Sequence, residues 1–202
     1  VKLYFMLGLP TETDEDLKGI ADLGQKIVDT YYNMPDKPKG KSVSVSISVS
    51  TFVPKPFTPF QFEPQITEDE IRRRQEYLKS CITTRKISLS YHDSSTSFLE
   101  GVLARGDRRL GAVIEDAVKR GARLDGWDEH FRYDLWLDAF KACNIDPDFY
   151  TVRGYDEDEV LPWDTIDVGV SKKFLLRERH RAYDEQITPD CREGCTGCGA
   201  NC

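Results

Sequence analysis

The chain has 202 residues, 39% hydrophobic and 31% charged, with a formal net charge of −7. That length suits one domain, or one domain with an appendage, and can bury a core. The acidic balance argues against an affinity for nucleic acid spread over the whole surface, and no apolar stretch approaches the ~20 residues of a membrane span.

Residues 2–7 form a short apolar run closed by Gly8-Leu9-Pro10, which reads as a buried strand and then a loop. A helix follows: Thr13 and Asp16 have capping-box spacing, and Leu17, Ile20, Ala21, Gly24, Ile27, Val28 and Tyr31 recur at helical intervals. Pro35 and the stretch DKPKGK end it. In SVSVSISVSTFV, Val43, Val45, Ile47 and Val49 fall on one strand face and Ser42, Ser44, Ser46, Ser48 and Ser50 on the other. The segment FVPKPFTPFQFEP carries four prolines and is expected to be irregular.

Thr67 has the spacing to cap a second helix at Glu70, with Ile66 and Ile71 as a hydrophobic staple, running to about Cys81. KISLSY, residues 86–91, reads as a third strand, followed by His92-Asp93. The first ninety-odd residues are therefore strand–helix–strand–helix–strand, which implies parallel strands joined by crossovers. Three strands close no barrel, and a strand at the very start is expected to have lost its preceding neighbours.

Helices dominate after His92. One is expected from Ser97 to about Arg105. A second spans 107–120, with Leu110, Val113, Ile114, Ala117 and Val118 as its inner stripe and Gly121 as its cap; a third spans about 132–143. Residues 151–169 read as irregular, with a solvated acidic run, DEDE. Ser171 opens a last helix to about Asp184, whose basic run KKFLLRERHR reads as a solvated face.

Four of the six cysteines, Cys191, Cys195, Cys198 and Cys202, fall in the last twelve residues. With no export signal visible, a cytoplasmic location is expected and clustered thiols point to metal rather than disulfides. Thiolates select zinc or an iron–sulfur cluster. Cys81 and Cys143 read as small core residues. His92-Asp93 is either a site-lining pair at a strand end or a helix cap with a packed imidazole. In GDRR (106–109), Arg108 and Arg109 are either anion ligands or exposed arginines behind an Asp107 cap. Trp127-Asp128-Glu129-His130 is either a substrate mouth or a loop anchored by a buried indole.

On GLPTET (8–13) and VPKPFTPF (53–60) the chain resembles the radical S-adenosylmethionine (SAM) superfamily. The likeness is to the C-terminal half of its partial (β/α)6 barrel, in the subgroup with an N-terminal cobalamin-binding domain. The blocks LEGVLARGDRRLGAVIEDAVKRGARLDGWDEHF, LPWDTIDVGVSKKFLLRE and TPDCREGCTGCG resemble one little-characterised family of that subgroup. The resemblance implies an α/β fold: a half-barrel over residues 1–93, a helical extension over 94–186 and a cysteine-rich tail over 187–202. It implies that Gly8, Pro10 and Glu12 lie near SAM, with Glu12 toward its amino group or, equally, an exposed first-turn acid. Phe52, Val53 and Pro54 would meet the adenine.

The same resemblance implies reductive SAM cleavage on a [4Fe–4S] cluster in the intact enzyme, with cobalamin as an added cofactor. The superfamily's catalytic C-x3-C-x2-C follows the first barrel strand, which is not in this chain. The tail cysteines are then an auxiliary cluster or a zinc site, the partner is the N-terminal remainder of the same polypeptide, and the piece alone is expected to be inactive. Against this stands a module of another kind, residues 94–202 as a non-catalytic zinc knuckle docking RNA or a protein. No catalytic residue and no substrate are assigned.

Overall fold

The computed structural model describes residues 1–200. Its elements are β1 (Lys2–Leu7), α1 (Asp14–Asn33), β2 (Val45–Thr51), a short 3-10 helix (Pro59–Phe62), α2 (Glu68–Cys81), β3 (Ile87–Tyr91), α3 (Ser94–Arg105), α4 (Leu110–Arg120), α5 (Tyr133–Ala142), α6 (Asp148–Thr151) and α7 (Lys172–Tyr183). They build two compact units. Residues 1–53 and 66–98 form the first; residues 54–65 and the chain from Leu99 onward form the second.

The first unit is α/β, with a three-stranded parallel sheet in the order β1-β2-β3. Lys2 pairs with Ser46 and Ser46 with Ser88; Tyr4 pairs with Ser48 and Ser48 with Ser90. The alternation along each strand sorts residues onto two unlike faces. Leu7, Val45, Ile47, Val49 and Ile87 are buried with Leu17, Ile20, Ala21 and Val28 of α1 and Leu78 of α2. On the opposite face Tyr4 is 75% and Met6 46% exposed, and the serines of β2 and β3 are exposed or half-buried. Parallel sheets are ordinarily covered on both faces. Here one face is bare, and among the described residues neither outer edge carries a further strand. There is no closed barrel.

Caps set the helix starts. Thr13 accepts from Asp16 N while Asp16 Oδ2 takes Thr13 N at 2.8 Å, so the capping box forms as the spacing predicts. Thr67 Oγ1 accepts Glu70 N at 3.2 Å, but Glu70 turns its carboxylate to Arg73 and Arg74. α3 starts three residues before its expected first residue because Asp93 Oδ1 receives Ser95 N at 2.9 Å and Thr96 N at 3.4 Å. The cap reading of Asp93 is the one observed.

In the second unit α4 packs on α5 and ends at left-handed Gly121. Leu110, Val113 and Ala117 are buried; Ile114 and Val118, expected in the same stripe, are 42% and 49% exposed. Trp136 and Phe140 of α5 are core, and Trp127 is 62% exposed, so no buried indole anchors its loop. The proline-rich segment holds a core of its own: Phe62 packs with Tyr155, Leu161 and Trp163. The guanidinium of Arg105, fully buried, lies 4.3 Å from the Tyr155 ring centroid. It donates to Glu63 O at 2.9 Å, Thr151 O at 3.2 Å and Arg153 O at 3.2 Å. Burial pulls its pKa below the ordinary value, yet an arginine stays charged at any physiological pH.

Candidate functional site

Ligands of parallel α/β sheets sit beyond the carboxyl ends of the strands. At that end β1 and β2 finish in register, Leu7 opposite Thr51. Phe52 N donates to Leu7 O at 2.7 Å, extending the ladder by one rung, so Gly8 and Phe52 emerge side by side. Gly8 has φ +89°, a conformation that favours glycine, and a Cβ there would stand 2.9 Å from Ile66 Cδ1, which would have to shift. Pro10 and Val53 are half-buried; Pro54, buried, opens the segment belonging to the second unit.

The loop between β1 and α1 is braced by its own Glu12 and by Arg74 of α2. Glu12 Oε1 accepts Gly8 N at 2.9 Å and Arg74 Nη1 at 2.6 Å; the Glu12 side chain is 6% and that of Arg74 14% exposed. Arg74 also reaches Glu12 O at 3.3 Å and Glu70 Oε1 at 2.7 Å. Glu12 is therefore not the exposed first-turn acid, and its oxygen Oε1 is taken up by the Gly8 N–H and by Arg74 of α2. Thr11, at φ +65°, carries the strain that this closed loop imposes. Arg74 had no signal in the sequence beyond its place in the run Arg72-Arg73-Arg74, because its partner is 62 residues away.

Hydrogen bonds from Arg73, and then from Arg74, hold the Glu70 carboxyl at about 2 against an ordinary 4.5. A depressed carboxyl stabilises the fold above its unfolded pKa and loses that contribution as pH falls through the folded value. Glu70 is 31% exposed, which limits the contribution to roughly 1 kcal/mol. Glu70→Gln is expected to flatten the fall in stability between about pH 5 and pH 2. Urea denaturation at pH 7 and at pH 3 measures it; an unchanged difference between the two rejects the assignment.

His92 is exposed and only its carbonyl is engaged, by Gln75 Nε2 at 3.0 Å. Arg109 is spent on Asp107 at 2.6 Å and lies 5.2 Å from the Phe149 ring centroid, so the anion-site reading of GDRR loses this arginine.

The basic run on α7 is not simply a solvated face. Arg179 pairs with Glu63 at 2.6 Å and Glu157 at 2.8 Å, His180 Nε2 lies 2.6 Å from Glu157, and Lys172 meets Asp164 at 2.9 Å. Two glutamates of the DEDE run are likewise paired, Glu157 here and Glu159 with Arg153 at 2.9 Å.

The tail is moored to the same helix. Ser171 N donates to Cys198 O at 2.8 Å, and Arg177 Nη2 donates to Thr196 O. Gly197 N and Ala200 N each donate to a sulfur two residues back, Cys195 and Cys198, at 3.4 Å. Gly199, at φ +99°, lets the turn pass over the α7 start, where a Cβ would come within 3.2 Å of Ser171 N. Cys191, Cys195 and Cys198 are free thiols, the first two exposed and the third half-buried; Cys202 lies outside the described residues. Among the described residues no three His, Cys, Asp or Glu side chains are gathered to hold a metal ion. The donor set itself suits a soft metal: thiols on tight turns, two of them already receiving the N–H bonds that stabilise thiolate charge.

Among the described residues no helix is long and apolar enough to cross a membrane. No protein-family model matches the chain, and no solved structure matches it. The chain is similar to the uncharacterised protein MJ0966 of Methanocaldococcus jannaschii, with 31% identity over 145 residues. That match takes in 72% of this chain and 30% of the archaeal protein, so the chain spans under a third of that relative's length.

Proposed function

We propose that this chain is the C-terminal part of a radical SAM iron–sulfur enzyme, working in a reducing cytoplasm beside further strands of the same polypeptide. The observation that carries the reading is the bare face of the parallel sheet. Ser46, Ser48, Ser50, Ser88 and Ser90 give it small hydroxyls instead of the apolar side chains a covering helix would need. A barrel lumen that must admit a cofactor and a substrate calls for that lining.

In this reading Gly8 and Phe52, held side by side by the ladder, present backbone groups to SAM, with Pro10, Val53 and Pro54 shaping the approach. Glu12 keeps that loop closed through Arg74 and Gly8. The chemistry that SAM and an iron–sulfur cluster supply in such enzymes is reductive cleavage to a 5′-deoxyadenosyl radical, which takes a hydrogen atom from substrate. Cys191, Cys195, Cys198 and Cys202 would hold an auxiliary [4Fe–4S] cluster. Cobalamin is part of the proposal for the whole enzyme, and no residue here is assigned to it.

A second reading rests on the two N–H···S turns at Cys195 and Cys198, which serve a zinc knuckle in a non-catalytic module equally well. Metal loading separates the two. Anaerobic reconstitution with iron and sulfide is expected to load about four iron atoms per chain with a cluster absorption band, and Cys195→Ala with Cys198→Ala to abolish it. One tightly held zinc and no cluster favours the module. SAM cleavage by this chain alone overturns the proposal that catalysis needs strands outside it.

A further inference from the structure

After α7 the chain doubles back and lies along the helix it has just left. Glu185, at φ +55°, and the bond from Gln186 N to Arg181 O at 2.8 Å make the turn. From there the contacts climb α7 in reverse order. Arg181 Nη2 donates to Ile187 O at 3.1 Å, Thr188 Oγ1 to Glu178 Oε2, Arg177 Nη2 to Thr196 O, and Ser171 N to Cys198 O at 2.8 Å. Residues 187–200 are therefore a strap antiparallel to α7, with the Cys195–Cys198 turn over the first half of the helix.

This strap buries almost nothing. Of residues 187–200, Thr188, Thr196 and Cys198 are half-buried and the others exposed. Fixing the backbone of one residue costs about as much as an exposed hydrogen bond returns, or more, and the bonds to α7 are far fewer than the residues they order. The strap needs a further source of free energy. Closing its thiols on a metal ion supplies one, because binding that requires an ordered segment stabilises the ordered form.

Arg177 stands where such a centre would need it. Its guanidinium holds Thr196 O, and a Cβ on Gly197 would lie 3.9 Å from Nη1, so it spans both residues between Cys195 and Cys198. The same turn carries the bond from Gly197 N to Cys195 Sγ. The Phe174 ring centroid lies 5.0 Å from the guanidinium carbon, and the carboxylate of Glu178 is a long 3.4 Å from Nε. A divalent ion on three or four thiolates carries net negative charge, which a guanidinium alongside it stabilises.

We infer that α7 is the seat of the tail's metal centre, with Arg177 as the positioning residue that grips the Cys195–Cys198 turn. Loading metal then fastens the strap to the helix. The inference rests on the metal reading of the tail, iron–sulfur or zinc, and not on SAM chemistry.

Zinc titration of the reduced full chain, read by competition with a chromogenic chelator and by amide exchange, tests it. Ser171 N has Cys198 O as its acceptor, so its exchange reports docking of the strap directly. Zinc is expected to slow that exchange about tenfold or more. Arg177→Met should weaken zinc about tenfold and remove the slowing at Ser171. Its zinc-free melting temperature should not change, since the Arg177 side chain is 46% exposed. Arg177→Lys keeps the charge without the planar fork and should recover part of the affinity. Gly199→Ala, whose Cβ would come within 3.2 Å of Ser171 N at φ +99°, should free the Ser171 amide by an independent route. Zinc held as tightly by Arg177→Met as by the parent chain, or zinc that leaves Ser171 exchange in the parent unchanged, overturns the inference and leaves the metal centre standing. A chain that takes up neither zinc nor reconstituted iron overturns both.

Discussion

Arg105→Met is expected to lower the stability of the second unit by about 3 kcal/mol, among the largest effects of any single change in the chain. The guanidinium is fully buried; Nη1 and Nη2 donate to three backbone carbonyls drawn from distant stretches, while the Nε–H meets no acceptor. Thr151 O keeps a second donor, Gln65 N at 2.9 Å, but Glu63 O and Arg153 O lose the partner they have. Two stranded carbonyls at about 1–3 kcal/mol each outweigh what is recovered by removing a buried charge.

The contact with the Tyr155 ring is lost as well, although methionine refills part of the volume. Arg105→Lys should rescue little, because a single ammonium cannot reach three carbonyls from the place of a planar fork. Urea denaturation of the two variants measures this. A loss below about 0.5 kcal/mol for Arg105→Met would mean that water replaces the guanidinium, and the clamp would have no energetic standing.

The same residue shows where sequence reading stops. Arg105 ends a helix that the pattern anticipates, and an arginine in a last helical turn ordinarily reads as a solvated complement to the helix dipole. Its burial follows from what residues 62–65 and 150–155 do, and no local pattern connects those stretches. Gln61 is similar: its tie to Trp163 spans 102 residues, and within FVPKPFTPFQFEP it looks like one more polar residue in a loop.

What was legible is what depends on near neighbours. The Val/Ser alternation of β2, the Thr13 capping box and the Ser171 cap each involve residues within a few positions, and each forms. The stripe on α4 was over-read because periodicity marks a possible buried face, while the packing buries only Leu110, Val113 and Ala117. The division of β2 into an apolar and a serine face was legible too; that the serine face stands bare was not, since alternation alone does not say what covers a face.

Glu12 and Arg74 carry the other large expectation, because they tie the loop proposed to meet SAM to α2. The pair is nearly buried, at 6% and 14% side-chain exposure, and Glu12 Oε1 also takes the Gly8 N–H. Arg74→Leu removes the guanidinium and leaves a carboxylate in the loop with the Gly8 N–H as its remaining donor, at an expected cost of about 3 kcal/mol. Glu12→Gln should cost less, about 1–2 kcal/mol, since the amide oxygen can still accept from Gly8 and Arg74 retains Glu70. The double variant should then fall short of the sum, because the stranded charge is no longer present to be stranded.

Thermodynamics alone would not tell a loop brace from any buried ion pair, so the decisive readout is local. Amide exchange at Gly8 should accelerate in both single variants, while Ile47 and Val49 in β2 keep their protection relative to the lowered global stability. Uniform acceleration across the sheet would make the pair a general support of the fold. It would also remove the reason for placing a preorganised cofactor loop at the end of β1.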